Sequence, residues 1–264
     1  MLPCADAEIM DRLAMDFEIS KLRPDDAYTI GVIVNLLNSS YHDDLSKYFI
    51  FRDNHYKVYL ANLLLNPDEI IYIAKLPFTS DLIGFAQIKI QNSTVLLNNI
   101  IVRPEYRGRD VASSFLKFIA KESHQQNLTQ IFALDVFEGN INVFEWYQRL
   151  GMQVVSTKYW YNLTDEHFIG SEYSIIDQNS ISYQADHNGF VQVYLQKDPV
   201  ATLINGNILL LRSKYQASDL AQLCEYFRDK VSGICLISET KENFPIIDKS
   251  FRLELPLSEL LIAL

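Results

Sequence analysis

Two arginines flank a glycine, Arg107, Gly108 and Arg109, at the join between an apolar run at 95–102 and a stretch of different rhythm. In that second stretch Val111, Ala112, Phe115, Phe118 and Ile119 recur at the spacing of an amphipathic helix, whereas the run before it reads as a buried strand bounded by Pro104. A strand, a basic turn and a helix start therefore meet at one point. Such a junction gathers unpaired backbone N–H groups, the positive end of a helix dipole and two guanidinium groups, which together suit a phosphate or pyrophosphate. The competing reading is an ordinary exposed turn with surface arginines, because short glycine motifs recur by chance.

A second patterned stretch contains a tyrosine. Val143, Tyr147 and Leu150 share one face of a predicted helix, with Asn140 near its start and Gly151 suited to cap its end. Residues 131–136 before it read as a strand. A phenol with an ordinary pKa near 10 is protonated at neutral pH and can donate that proton. Read alone, Tyr147 is a packed aromatic before it is a catalyst.

Together the two stretches resemble the signatures of the GNAT N-acetyltransferase superfamily. The run Arg107-Gly108-Arg109-Asp110-Val111-Ala112 is similar to the family's acyl-CoA turn, Arg/Gln-x-x-Gly-x-Gly/Ala, with Asp110 in place of the fourth-position glycine. A carboxylate pointing inward there would repel a pyrophosphate. Residues 140–152 are similar to Asn-x-x-Ala-x-x-x-Tyr-x-x-x-Gly-Phe, with Val143 for the alanine and Met152 for the phenylalanine.

The resemblance implies an α/β (α+β) fold, a mixed and mostly antiparallel central sheet flanked by helices. It implies acetyl-CoA as co-substrate and no metal. The pantetheine arm would pair with the strand from Asn99 through Ile100, Ile101 and Val102. Backbone N–H groups of Arg107, Gly108, Arg109, Asp110, Val111 and Ala112 would take the pyrophosphate. Asn140 would touch the cofactor arm, and Tyr147 would protonate the departing sulfur. Many relatives carry a carboxylate on the strand before the turn, where this chain has Asn98 and Asn99. An amide positions an amine or a water but does not take its proton. Asp135, Glu138 and Glu105 remain as substitute bases, each also readable as a solvated or capping carboxylate. The expected activity is acetyl transfer to a small-molecule or peptide amine. The alternative is a non-catalytic acyl-CoA-binding or interaction protein of the same fold.

Composition bounds these readings. A chain of 264 residues, 48% of them hydrophobic, can bury a sizeable core and form one large or two small domains. The net charge of −10 disfavours a general affinity for nucleic acid or acidic membrane, and it favours a cationic acceptor such as a polyamine, aminoglycoside or lysine side chain. The N-terminal Asp6, Glu8, Asp11 and Asp16 do not fit a secretion signal, and no apolar run has the length of a membrane span. Cys4, Cys224 and Cys235 lack metal-ligand spacing and suit a reducing compartment. These features point to a cytoplasmic protein, monomeric or homodimeric.

The remaining elements follow in order. A strand at 17–21, a helix opened by Pro24-Asp25-Asp26, a helix at 57–65 and a hairpin of 70–74 with 82–90 precede the strand at 95–102. Residues 154–161 close the set, which gives a first domain at 1–168. A smaller domain at 172–264 is expected to be a degenerate second copy. Residues 190–195 alternate as a strand, Asn205-Gly206 is a hairpin signal between 201–204 and 208–211, a helix opens near Ser218, and 234–237 reads as a buried strand. Laid over 102–112, residues 211–221 match Arg103 with Arg212, Tyr106 with Tyr215 and Asp110 with Asp219. Gln216-Ala217-Ser218 replaces Arg107-Gly108-Arg109, so the copy is predicted to bind no phosphate.

Overall fold

The computed structural model describes residues 16–41, 45–79, 81–125, 130–163, 180–212 and 217–264, without the side chains of 212 and 217–221. In chain order the elements begin with β1 (Glu18–Lys21), α1 (Ala27–Ser40), α2 (Tyr56–Leu63), β2 (Glu69–Lys75), β3 (Leu82–Gln91) and β4 (Thr94–Val102). There follow α3 (Val111–Gln125), β5 (Ile131–Phe137), α4 (Ile141–Arg149) and β6 (Gln153–Leu163). This is the order the sequence predicts. The second part contains β7 (Ile181–Ala185), β8 (Val191–Leu195), β9 (Asp198–Ile204), β10 (Ile208–Arg212), α5 (Ala217–Phe227) and β11 (Gly233–Ser238). It ends with β12 (Ile246–Pro256) and α6 (Leu257–Ala263). β7, β12 and α6 are absent from the sequence reading, which stops at Ile237. The expected boundary between 168 and 172 lies outside the described residues.

The chain divides into two compact units, each drawn from separated stretches. One comprises residues 1–36, 64–133 and 255–264. Here β1, β2, β3 and β4 pair antiparallel in sequence order. Helix α1 starts where Asp26 accepts from the Thr29 N–H at 3.0 Å and from its hydroxyl at 2.7 Å, an N-cap that satisfies one of the orphan donors of the first turn. The helical spacing puts Ile30 and Ile33 inward, and both are buried. α3 buries Val111, Phe115, Leu116, Ile119 and Ala120, and α6 packs on it.

The other unit comprises residues 37–63 and 134–254. Its sheet runs β12-β6-β11-β10-β9-β8-β7. β6 is flanked on both sides, antiparallel to β11 from Leu163 to Tyr159 and to β12 from Tyr161 to Gln153. β10 and β11 are the parallel pair expected across a helical crossover. Asn205 and Gly206 both have positive φ, 50° and 68°, so the hairpin turn is the primed type their sequence predicts. No helix among the described residues is long and apolar enough to cross a membrane.

Candidate functional site

The phosphate-suited turn is built as a series of local necessities. β4 slips register against β3 between the Gln87–Asn99 and Ile88–Leu97 pairs, so Asn98 is the extra residue of a β-bulge. A bulge bends its strand and re-aims the residues that follow it. Asn99 donates its amide to Gln87 Oε1 at 2.9 Å, which fixes it within the sheet, while Asn98 faces solvent. Ile101 and Val102 are buried and Ile100 is half-buried, so this strand end offers a ligand only its main chain.

Pro104 to Tyr106 then forms a short 3-10 turn, and the chain swings into α3 through two left-handed residues, Gly108 at φ 72° and Asp110 at φ 58°. Space around Gly108 is open, with no atom within 4 Å of an added Cβ. Asp110 occupies a conformation for which glycine is the default and aspartate among the better-tolerated alternatives. The departure from the family signature is thus a side chain put where the backbone still takes the glycine shape. Residues 107–110 are exposed, and the Asp110 carbonyl accepts the first helical bond from Ser114 at 2.9 Å. The N–H groups of Val111, Ala112 and Ser113 have no acceptor within the helix, by the geometry of any first turn. Arg107 also donates its Nε to the Val102 carbonyl at 3.1 Å, locking strand end to turn. Arg103 Nε is buried with no hydrogen-bond partner among the described residues.

The second motif lies in the other unit. Asn140 takes the N-cap position of α4 but makes no side-chain cap bond, and its residue is exposed. An asparagine there ordinarily satisfies an orphan N–H for about 1 kcal/mol, so its amide stands available to another partner. The helix ends in a Schellman motif. The Gly151 N–H reaches the Gln148 carbonyl at 2.9 Å, the Met152 N–H reaches the Tyr147 carbonyl at 3.2 Å, and Gly151 takes φ 91°. Tyr147 is therefore pinned through its backbone. Its side chain is only 2% exposed and lies against Trp146, with the rings tilted at 41° and their centroids 4.8 Å apart. Burial pushes the phenol well above its ordinary pKa, and the neighbouring Tyr41 adds to the shift.

The carboxylates expected as substitute bases are already engaged. Asp135 accepts from Arg252 Nε at 2.6 Å and Nη2 at 2.8 Å, and it lies 3.6 Å from Lys158 Nζ. Glu138 receives Lys249 Nζ at 2.9 and 3.0 Å. Arg252 and Lys249 come from β12, the strand the sequence does not predict, and Lys158 comes from β6. These contacts give the two carboxylates a structural task, tying the end of β5 to β12. Glu105 is exposed in the 3-10 turn.

Around this motif stands an aromatic group that sequence reasoning missed. Tyr41, Phe49 and Phe51 touch one another at 5.1 to 5.3 Å, and Phe49 reaches Phe137 at 5.6 Å and Trp160 at 5.8 Å. The signal lay in composition, since Tyr41, Tyr48, Phe49, Phe51, Tyr56 and Tyr59 crowd into nineteen residues. Among the described residues no cluster of three or more His, Cys, Asp or Glu could hold a metal ion.

A family model decides what the two motifs share. Residues 33–152 match the acetyltransferase (GNAT) family. The chain carries a GNAT domain. Beyond that domain, the GNAT likeness extends to the rest of the chain in fold. A tandem GNAT protein from the clavulanic acid biosynthesis pathway, in its form without acetyl-CoA, is similar with a TM-score of 0.63 at 9% identity, over 92% of this chain and 99% of that one. The GCN5-related N-acetyltransferase from Sphaerobacter thermophilus is similar with a TM-score of 0.54 at 9% identity, over 91% and 96% of the two chains. No curated protein matches the chain by sequence.

Proposed function

We propose that this GNAT protein is an N-acetyltransferase that moves an acetyl group from acetyl-CoA to an amine by direct attack, with Tyr147 as general acid. The observation that carries the reading is the turn at 107–112, where two left-handed residues lead into the first turn of a fifteen-residue helix, whose N–H groups have no helical acceptor, while the Arg107 N–H is taken by the Pro104 carbonyl at 3.2 Å. That arrangement suits the pyrophosphate. Asn140, with no capping bond, suits the cofactor arm. The amine nitrogen attacks the thioester carbonyl, the C–N bond forms, the C–S bond breaks, and the sulfur takes the Tyr147 proton. The proton lost by the amine returns to the phenol through water. Because burial raises the phenol pKa, Tyr147 stays protonated throughout the neutral range.

The base is the weaker part of this reading, since Asn98 and Asn99 cannot accept the proton and Asp135 and Glu138 are held by cations. The acceptor therefore arrives neutral or loses its proton to water. The same observation, together with Asp110, favours a second reading in which the chain binds acyl-CoA without turnover. A cationic small-molecule or peptide amine remains the acceptor class, the cytoplasm the compartment, and 172–264 a second, phosphate-free copy.

Free-thiol release from acetyl-CoA with a panel of amines separates the two. Tyr147→Phe is expected to slow turnover by roughly ten- to ten-thousand-fold, the range for losing a general acid. Acetyl-CoA affinity should hardly change, because the ring still packs. Equal rates in the two proteins remove Tyr147 from the mechanism, and binding without any thiol release selects the second reading.

A further inference from the structure

The segment between α1 and α2 belongs to the GNAT domain in sequence, yet it is held by the C-terminal part of its unit. Asp53 is 5% exposed, and its carboxylate accepts from the Asn205 backbone N–H at 2.7 Å and from the His55 N–H at 2.9 Å. The Asn205 side chain bonds the same segment twice more. Its Oδ1 accepts from the Asn54 N–H at 3.0 Å, and its Nδ2 donates to the Arg52 carbonyl at 2.8 Å. Leu45 and Tyr48 are buried in one cluster with Ile204, Ile208, Leu210 and Cys235 beneath this latch.

The segment passes that constraint on. Arg52 turns its Nη2 to the Tyr41 carbonyl at 2.8 Å and to Ser46 Oγ at 3.0 Å. Tyr41 packs on Phe49, and Phe49 on Phe137 and Trp160. The Tyr41 phenol is also near enough to Tyr147 to disfavour its ionisation. Asn205 is suited to a double task, because asparagine adopts φ 50° at low cost and keeps an amide with a donor and an acceptor.

We propose that Asn205 is a positioning residue, through which the C-terminal copy sets the Tyr41–Phe49 aromatic wall and with it the choice of amine acceptor. This rests on the acetyltransferase reading. The copy that has lost its basic turn thereby keeps a function: it shapes the wall on which the acceptor's apolar part lies.

Asn205→Gly tests this, since glycine keeps the left-handed turn and the N–H to Asp53 while deleting both side-chain bonds. The acceptor KM is expected to rise about tenfold, as for two lost hydrogen bonds of modest net worth, with the acetyl-CoA KM unchanged. In a Trp146→Phe background, acrylamide quenching of Trp160 fluorescence should increase. Asp53→Asn, which weakens the same latch from the other side, should move both readouts in the same direction. A lower melting temperature with acceptor KM unaltered, or an equal rise in both KM values, overturns the proposal. If the wild-type protein transfers acetyl to no amine, the functional reading has failed, and the quenching alone decides: unchanged quenching in both variants ends the positioning role too.

Discussion

Two strand–turn–helix units of this chain differ in the regularity of the strand and in the charge of the turn. β4 carries a bulge at Asn98 and leads through Gly108 and Asp110 into α3, with exposed main chain at the turn. β10 has no such irregularity. It pairs residue by residue with β9 from Ile208 to Leu211 and with β11 from Ile208 to Arg212, so its main-chain groups are taken on both sides. The unit that keeps Arg-Gly-Arg is the one with the bulged strand, whereas the unit that has lost it is regular. What it supplies instead is packing.

The largest test of that contrast is to remove the second copy. A chain ending near Ser171 strips both β11 and β12 from β6, exposing two strand edges together with Trp160 on one face and Tyr161 on the other. Unpaired edges of this kind template aggregation. Size-exclusion chromatography is expected to show aggregates, and a monomer as stable as the full chain would break the view that the copy is structural.

A smaller effect sharpens the comparison from the ligand side. Charge reversal at Arg107 and Arg109 should abolish the rise in melting temperature that acetyl-CoA gives by binding the folded state, while reversal at Arg212 and Lys214 should leave it intact. Loss of the shift from the second pair would place cofactor binding in the wrong half.

Asp110→Gly acts more subtly. Relief of a left-handed residue, about 1 kcal/mol, is nearly offset by the entropy glycine adds to the unfolded chain. The unliganded melting temperature should therefore move little. Removing a negative charge a few ångströms from a pyrophosphate should tighten acetyl-CoA roughly three- to tenfold, as a Coulomb term near 1 kcal/mol at a wet surface predicts. Isothermal titration measures it. Unchanged binding would mean that the carboxylate points away, and weaker binding that it supports the turn rather than repelling the ligand.

The smallest expected effect is in alkaline stability. Burial pushes the Tyr72 phenol up to about 12, with the Glu122 charge adding to it, and pushes Tyr147 well above its ordinary value. Their folded pKa values lie above those of the unfolded chain, so their contribution is complete below pH 10. It is lost as pH rises from 10 towards 12, where the unfolded phenols ionise and the native ones do not. Melting temperature against pH should be level in this respect to about 10 and then fall, and Tyr147→Phe should soften that fall.

The turn, the two helices of the motifs and the Asn205-Gly206 hairpin were legible because each is written in neighbouring residues. Positive φ at Gly108, Gly151, Asn205 and Gly206 and the helical spacing of Val111 to Ile119 are local demands that few residue types meet. Asp110 shows the limit of that legibility: the letter departs from the signature's glycine, whereas its φ of 58° is a conformation that glycine adopts freely. β12 is not predicted although Phe251, Leu253 and Leu255 alternate, because its place beside β6 is set by a partner about a hundred residues away in the chain.

By itself the amino-acid order determined the sequence of elements, the glycine-shaped turn, the tyrosine helix with its Schellman end and the family they resemble. Those features follow from contacts within a dozen residues, where backbone sterics and helix caps decide the outcome. Only the tertiary structure decided which charged and polar groups were spoken for. Asp135 meets Arg252 across 117 residues of chain, and Asp53 meets Asn205 across 152. A carboxylate's role depends on which cation or N–H the fold brings within about 3 Å of it. At such separations no local pattern names the partner, and here the partners turned two expected bases into struts and one hairpin asparagine into a latch.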